Sequence, residues 1–356
     1  MEMMVSMALG LVVLSAAAQL YSQGVAATWT ISQRAELQQD FRAAANMLTH
    51  DLGLAGAGLG NGAAIQLPTS GTIPVYGCDQ TKCYLGAGNN AAATYPKQGA
   101  TPYLYGLLPG SGKGPTLLAA QGATDVVTIV NTDSIFFLDC YQATATNATT
   151  VTFALTVASQ ASSNCTNNAA PIQNLNDAVV GLTAGDLVLF KFGATSVVAE
   201  VTAAATAATA TFASGDKLQM NQANTSPKSL ASIGAGTTGF GTRLLVTTYY
   251  IDNTINPPRL MRQVSGHSPM PVAENVAFLQ LSYDLYDSSG AGTVRTDQSD
   301  GGVSFALLPN QITKINIKHM SMASALKGAK GFQGLDLETS VSARDLTYNN
   351  AYPLGP

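Results

Sequence analysis

Few side chains in this sequence are placed to do chemistry. The three histidines, His50, His267 and His319, are far apart and share no motif. No G-x-S-x-G, H-E-x-x-H or paired-carboxylate pattern is present, so no catalytic residue is expected. Gly110-Ser111-Gly112-Lys113-Gly114 invites a phosphate-loop reading. Leu107, however, stands where the first glycine belongs, and Gly114 where a Ser or Thr would hold magnesium. Gly56-Ala57-Gly58-Leu59-Gly60 follows a helical pattern rather than a strand, the wrong context for a dinucleotide turn.

Two groups of residues offer metal ligands. Asp284, Asp287, Asp297 and Asp300, with Ser288, Ser289 and Gly290, form an acidic loop of the kind that can hold calcium. Their spacing is not that of an EF-hand, and a solvated hairpin loop is the plainer expectation, so no cofactor is assigned. The cysteines are Cys78, Cys83, Cys140 and Cys165. Zinc would want a C-x-x-C knuckle or a nearby histidine, and neither is present. An even count in an exported chain points to disulfides. Cys78 with Cys83 can close a small loop and Cys140 with Cys165 a larger one, and the two other pairings stay open.

Charge narrows the partners. The chain carries 17 Lys and Arg against 21 Asp and Glu, a net charge of −4, and only 11% of its residues are charged. A nucleic-acid surface needs clustered cations, and none is evident.

The residues that stand out belong to one element, an N-terminal helix over 1–54. Met3 to Ser22 contain no formal charge and are dominated by Met, Val, Leu and Ala. Such a stretch matches the thickness of a bilayer core, about 30 Å. Glu2 sits at its edge, and a carboxylate there is costly unless something offsets it. Ser15-Ala16-Ala17-Ala18 also resembles a signal-peptidase site, but the pattern continues past it, which argues for retention. Residues 25–54 repeat Trp29, Leu37, Phe41, Ala45, Leu48 and Leu52 mostly at helical spacing, with Arg34, Glu36, Asp40, Arg42 and Asp51 between. The helix is thus expected in two parts, an apolar anchor (1–24) and an amphipathic part (25–54) laid on the remainder of the chain through residues 29–52. Small residues in the anchor, among them Ala8, Gly10 and Ala16, permit close helix–helix approach.

Residues 55–356 are expected to form a β-rich head. The stretch 55–122 is rich in Gly, Pro, Asn and Ala and reads as an irregular connection with a few short strands. Strands are expected at 126–130, 134–138, 150–157, 186–192, 196–204, 209–213, 242–252, 257–266, 272–287, 313–324 and 335–346. Within 313–324, Ile315, Ile317 and His319 should share one face. The region 141–215 is rich in Thr and Ala and poor in charge.

MEMMVSMALGLVVLSAAAQLYSQ, followed by FRAAANMLTHDLGLAGAG, resembles the N-terminal helix of type IV pilins and type II secretion pseudopilins, most of all the PilW-type minor pilins. In that family the helix follows a short basic leader and a Gly-Phe-Thr-Leu-x-Glu motif, whose last two positions match Met1-Glu2. Cleavage and N-terminal methylation are implied by the family, and no leader or cleavage-site glycine here carries them. The order of an Arg-Leu-x-Arg strand, AENVAFLQLSYDLYDSSG, ITKINIKHMSMAS and LETSVSARDL is also similar to the tail of that group. Its closing strand is matched here by Val341-Ser342-Ala343-Arg344-Asp345-Leu346. The resemblance covers the first 60 residues and 243–346. It does not reach the middle of the chain.

The resemblance implies an α+β, pilin-like fold, with one long helix packed on an antiparallel sheet. It implies a minor pilin that waits in the bacterial inner membrane with a periplasmic head and then joins a cell-surface pilus, priming assembly or sitting at the tip. Other pilin subunits are the implied partners, and Glu2 would neutralise the terminal ammonium of an adjoining subunit. In such an envelope the sequons at Asn147, Asn164 and Asn224 carry no weight. Two further readings are a type II secretion pseudopilin on the same helix, and a membrane-anchored surface-binding module or adhesin whose binding face is the low-charge Thr/Ala/Gly region.

Overall fold

The structure is a computed structural model. It describes residues 2–60, 64–68, 78–79, 84, 97–98, 101–136, 138–157, 165, 175–216, 218–222, 228–287, 292–328, 331–343 and 345–346. The arrangement is α+β, with one long N-terminal helix followed by antiparallel sheets.

The helix runs unbroken over Glu2–Gly53, 52 residues. Gly24 does not interrupt it, and Thr28 Oγ1 donates to the Gly24 carbonyl at 2.9 Å. Leu37, Phe41, Ala44, Ala45, Leu48 and Leu52 are buried. Their spacing of three, four and seven forms one stripe along the helix. That stripe lies against the strands Met270–Glu274, Ile312–Gly328 and Gly331–Ser342. The expected packing from Trp29 onward is corrected here. Trp29 is 63% exposed, because burial on the head begins only at Leu37.

After the helix the chain turns straight into the sheet. Gly56 N–H donates to the Val130 carbonyl at 2.9 Å. Gly106 passes so close that a Cβ there would lie 2.6 Å from the Gly56 Cα, and no other residue type fits that crossing. The Gly-rich connection does hold short strands, Ala64–Gln66, Thr101–Tyr105 and Leu107–Gly110 among them. It is also core: Leu104, Tyr105, Leu107 and Leu108 are fully buried.

The head has two cores. Its main sheet has 10 strands, organised on Thr238–Asp252. The first part of that strand pairs with Tyr141–Asn147 and Leu187–Phe192, and its later part with Val126–Thr132 and Arg259–Val264. Around the later part lies the base core, which includes the helix stripe, Leu104 to Leu108 and a second sheet of 4 strands. Around the first part, the described residues between 133 and 237 form a lobe with its own core of Phe136, Leu138, Phe153, Phe190, Phe192 and Phe212 among others. The strand Leu187–Phe192 is the shared wall. Leu187 and Leu189 face the base, while Val188, Phe190 and Phe192 face the lobe. A run apolar on both faces is what such a wall requires.

Three strand expectations change. Within the expected strand 134–138, residues 134–136 bend instead of extending, because Asp133 Oδ1 accepts the Ile135 N–H at 2.8 Å, and a 3-10 turn is present at Leu138–Cys140. The stretch 272–287 is divided at Asn275 (φ 61°) into Met270–Glu274 and Val276–Asp287. His319 is exposed, away from Ile315 and Ile317, because the register shifts after Ile317 and brings Met320 inward instead.

Cys140 and Cys165 form a disulfide across the lobe. Cys78 is buried and also disulfide-bonded. Cys83, Ser288, Ser289, Gly290, Asn164, Asn224 and Arg344 lie outside the described residues.

Candidate functional site: the exposed helix

From Glu2 to Glu36 no side chain of the helix is buried. No ionisable side chain but that of Tyr21 stands between Glu2 and Arg34. Met3 and Leu14 are 82% and 69% exposed, and Tyr21 and Trp29 are similarly bare. The best 18-residue window has a mean hydropathy of 2.0 with none of it buried, so the helix is long and apolar enough to span a membrane.

Its serine and threonine hydroxyls as far as Thr30 do not spoil that surface. Ser6 donates to the Met3 carbonyl at 3.0 Å, Ser15 to Val12 at 2.8 Å and Ser22 to Gln19 at 2.9 Å. Thr28 and Thr30 bond the carbonyls four residues back, each at 2.9 Å. Every one of these protons is satisfied inside the helix, as a lipid or helix-bundle environment demands. Glu2 lies in the first turn, where a carboxylate is favoured by the helix dipole. It is exposed and has no partner among the described residues.

The other end of the helix is fastened. Asp51 Oδ2 accepts from the Tyr249 hydroxyl at 2.7 Å and from Arg262 Nε at 2.9 Å, and Arg262 Nε also reaches the Tyr249 oxygen at 3.2 Å. A carboxylate in the last turn opposes the helix dipole, and Arg262 offsets it. Burial, then the Asp51 charge and hydrogen bond, push the Tyr249 hydroxyl far above its usual pKa, so it stays a donor. Burial opposes the Arg262 charge, yet Asp51 holds its pKa above the ordinary arginine value. Asp51 lies 198 and 211 positions from Tyr249 and Arg262, which are 13 apart. Only the Arg-Leu-x-Arg pattern pointed toward one of them.

No family model, no curated protein and no solved structure matches this chain.

The remaining sequence candidates are structural. In the Gly110–Gly114 loop, Gly112 N–H donates to Asp125 Oδ1 at 2.7 Å and Gly114 N–H to the Thr124 carbonyl at 2.8 Å. The donors a phosphate would need are taken. Asp125 is buried, and its other oxygen accepts the Leu281 N–H at 2.7 Å. Burial raises its carboxyl pKa, and these two N–H bonds only partly oppose that.

The acidic residues proposed for calcium each have protein partners. Asp284 accepts from the Asp297 N–H at 2.9 Å and from Asn316 at 3.0 Å, and Asp287 from Arg295 at 2.9 Å. Lys318 lies 3.1 Å from Asp297, and Asp300 accepts the Gly302 and Ser304 N–H groups at 2.9 Å. Among the described residues the one group with shared ligation distance is Asp139, Cys140 and Cys165, whose two sulfurs are bonded to each other.

His50 and His319 are exposed beside Asp51 and Asp336, at 3.4 and 3.0 Å. His267 belongs to a seam between lobe and base that the sequence did not reveal. There Asp186 accepts from His267 Nε2 at 3.0 Å and from the Thr183 N–H at 2.8 Å. Arg243 donates to Asp133 at 2.8 Å and to the Val180 and Gly181 carbonyls at 3.1 Å, with its guanidinium over the Phe136 ring. Burial alone would raise the Asp186 carboxyl pKa. The His267 and Thr183 hydrogen bonds and the neighbouring positive charges bring it net below the usual value.

Proposed function

We propose that the chain is a minor pilin, a structural and assembly subunit of a type IV pilus, with a pilin-like fold. One observation carries the reading. A single helix is unburied from Met3 to Glu36, without a formal charge as far as Gln33, yet fastened to a β head by its last four turns. A bare apolar helix needs a solvent other than water. Lipid supplies it before assembly, and the helices of neighbouring subunits supply it within a filament. Glu2 would meet the terminal ammonium of an adjoining subunit, a pairing that offsets the cost of burying either charge.

Mass spectrometry of filaments sheared from the cell surface tests this. Peptides of this chain should appear in the sheared fraction. Glu2→Ala should empty that fraction while leaving the amount in the membrane unchanged. A chain that stays wholly in the membrane, with no change in piliation when its gene is removed, sinks the reading. A type II secretion pseudopilin would share the helix, and secretion lost without loss of pili would favour it. The separate core of the lobe favours a second role in the same molecule, that of a surface-binding module held out by the anchor.

A further inference from the structure

The lobe has an outer face dominated by threonine. Four threonines stand side by side across four adjacent strands: Thr238 is opposite Thr144, Thr144 opposite Thr152, and Thr152 opposite Thr209. A second row sets Asn147, Thr150 and Thr211 side by side. The alternate residues of these strands, Ala143, Ala145, Val151, Phe153 and Ala210, are the buried ones and belong to the lobe core. The threonines therefore point outward. Neighbouring positions in a row are about 4.8 Å apart, and rows about 7 Å.

Thr146 and Thr152 hydroxyls bond each other at 2.9 Å. The hydroxyls of Thr144, Thr150, Thr209, Thr211 and Thr238 make no hydrogen bond to any described residue, so each can donate and accept. Phe240 extends the face. It is half-buried, while Gly239 and Gly241 on either side of it point to the core, and it pairs with exposed Gln142.

The threonine rows carry no charge, and the one cation beside them, exposed Lys191 opposite Phe240, is a single charge rather than the cluster that nucleic acid and other polyanions require. A membrane would need exposed large apolar side chains, and a tight protein interface would need Trp, Tyr or Arg anchors. The face has neither. It offers a flat lattice of hydroxyls, two amides and one aromatic ring, with Lys191 at its edge. Hydroxyl-to-hydroxyl bonding with stacking on a ring is the chemistry that recognises uncharged sugars. We propose that this face binds a neutral polysaccharide presented as an extended, repeating surface. The lobe core contains no residue of the helix, so the face does not compete with the helix for the base. The inference does not rest on the pilus reading.

The test uses the full chain in detergent micelles, with microcrystalline cellulose, chitin beads and alginate beads as probes. Retention on cellulose or chitin that is unchanged by added salt is expected. Thr144→Val with Thr152→Val keeps the shape and β propensity and removes two hydroxyls, and should lower retention about tenfold. Phe240→Ala should do the same, with the thermal unfolding profile of each variant confirming the fold. No retention on either neutral polymer overturns the proposal. So does retention on alginate alone that salt abolishes, a valine pair that binds like the parent, or ice shaping without polysaccharide retention. Loss of the sheared-filament signal would leave this result untouched, so the two proposals fail separately.

Discussion

The base and the lobe close their cores in opposite ways. The base draws Leu37 to Leu52 from the start of the chain, Leu104 to Leu108 from the Gly-rich connection, and Leu279 to Met322 from its last third. Its contacts are long-range, and it is incomplete until all of these are present. The lobe takes its core from Phe136 to Leu230 alone, uses no helix, and adds a disulfide with a sequence separation of 25. Local contacts of that kind form sooner and at lower loop-closure cost. The comparison separates what fastens the helix from what can vary without disturbing it.

The largest expected effect breaks the lobe alone. Phe190 is fully buried, with Phe153, Phe192 and Phe212 ring centroids 5.3 to 6.1 Å away. Phe190→Ala should cost about 3–5 kcal/mol and lower one calorimetric transition while leaving another in place. A single merged transition that falls as a whole would mean the two cores are one cooperative unit. Leu48→Ala empties a fully buried helix position and should cost about 2–5 kcal/mol in the base. Amide exchange in Thr150–Val157 should then stay slow. Removing the disulfide by Cys140→Ser with Cys165→Ser should lower the lobe by about 3 kcal/mol and leave the base unchanged.

A smaller effect lies at the seam. The Asp186 pKa is lower in the folded protein than the ordinary carboxylate value of about 3.9. Its contribution is therefore complete above that value and is lost as pH falls through the folded pKa. Denaturant titrations should show the parent losing more stability than Asp186→Asn on acidification below about pH 4. The smallest effect is a control. Trp29→Ser touches nothing in the head and should change stability by no more than about 0.5 kcal/mol.

Much of the fold was legible. Charge-free Met3 to Ser22 and the spacing from Leu37 to Leu52 announced the helix, and β-branched runs such as 126–130 and 242–252 announced strands. What failed did so for local reasons. Periodicity names an apolar face but not what covers it, so Trp29 was placed on a head that does not reach it. A register shift reverses which side chains face inward, and His319 lay just beyond one. In the stretch 134–138 the Asp133 side chain captured a backbone N–H, and β propensity lost to that turn. The candidate site was half visible. Glu2 and the apolar surface can be read in one stretch, whereas Asp51, Tyr249 and Arg262 meet only after the chain has folded. The threonine rows depend on strand register, which composition does not contain.

The way the helix is fastened also sets how the molecule bears force. Its buried stripe runs parallel to its own axis, from Leu37 to Leu52, over about 22 Å. A pull on the exposed end of the helix acts along that line. It loads six buried side chains at once in shear and meets the Asp51–Arg262 pair at the far end. A sideways pull would instead peel the stripe one turn at a time, starting at Leu37. Resistance to rupture should therefore be direction-dependent, high for tension along the helix and low for bending away from the head.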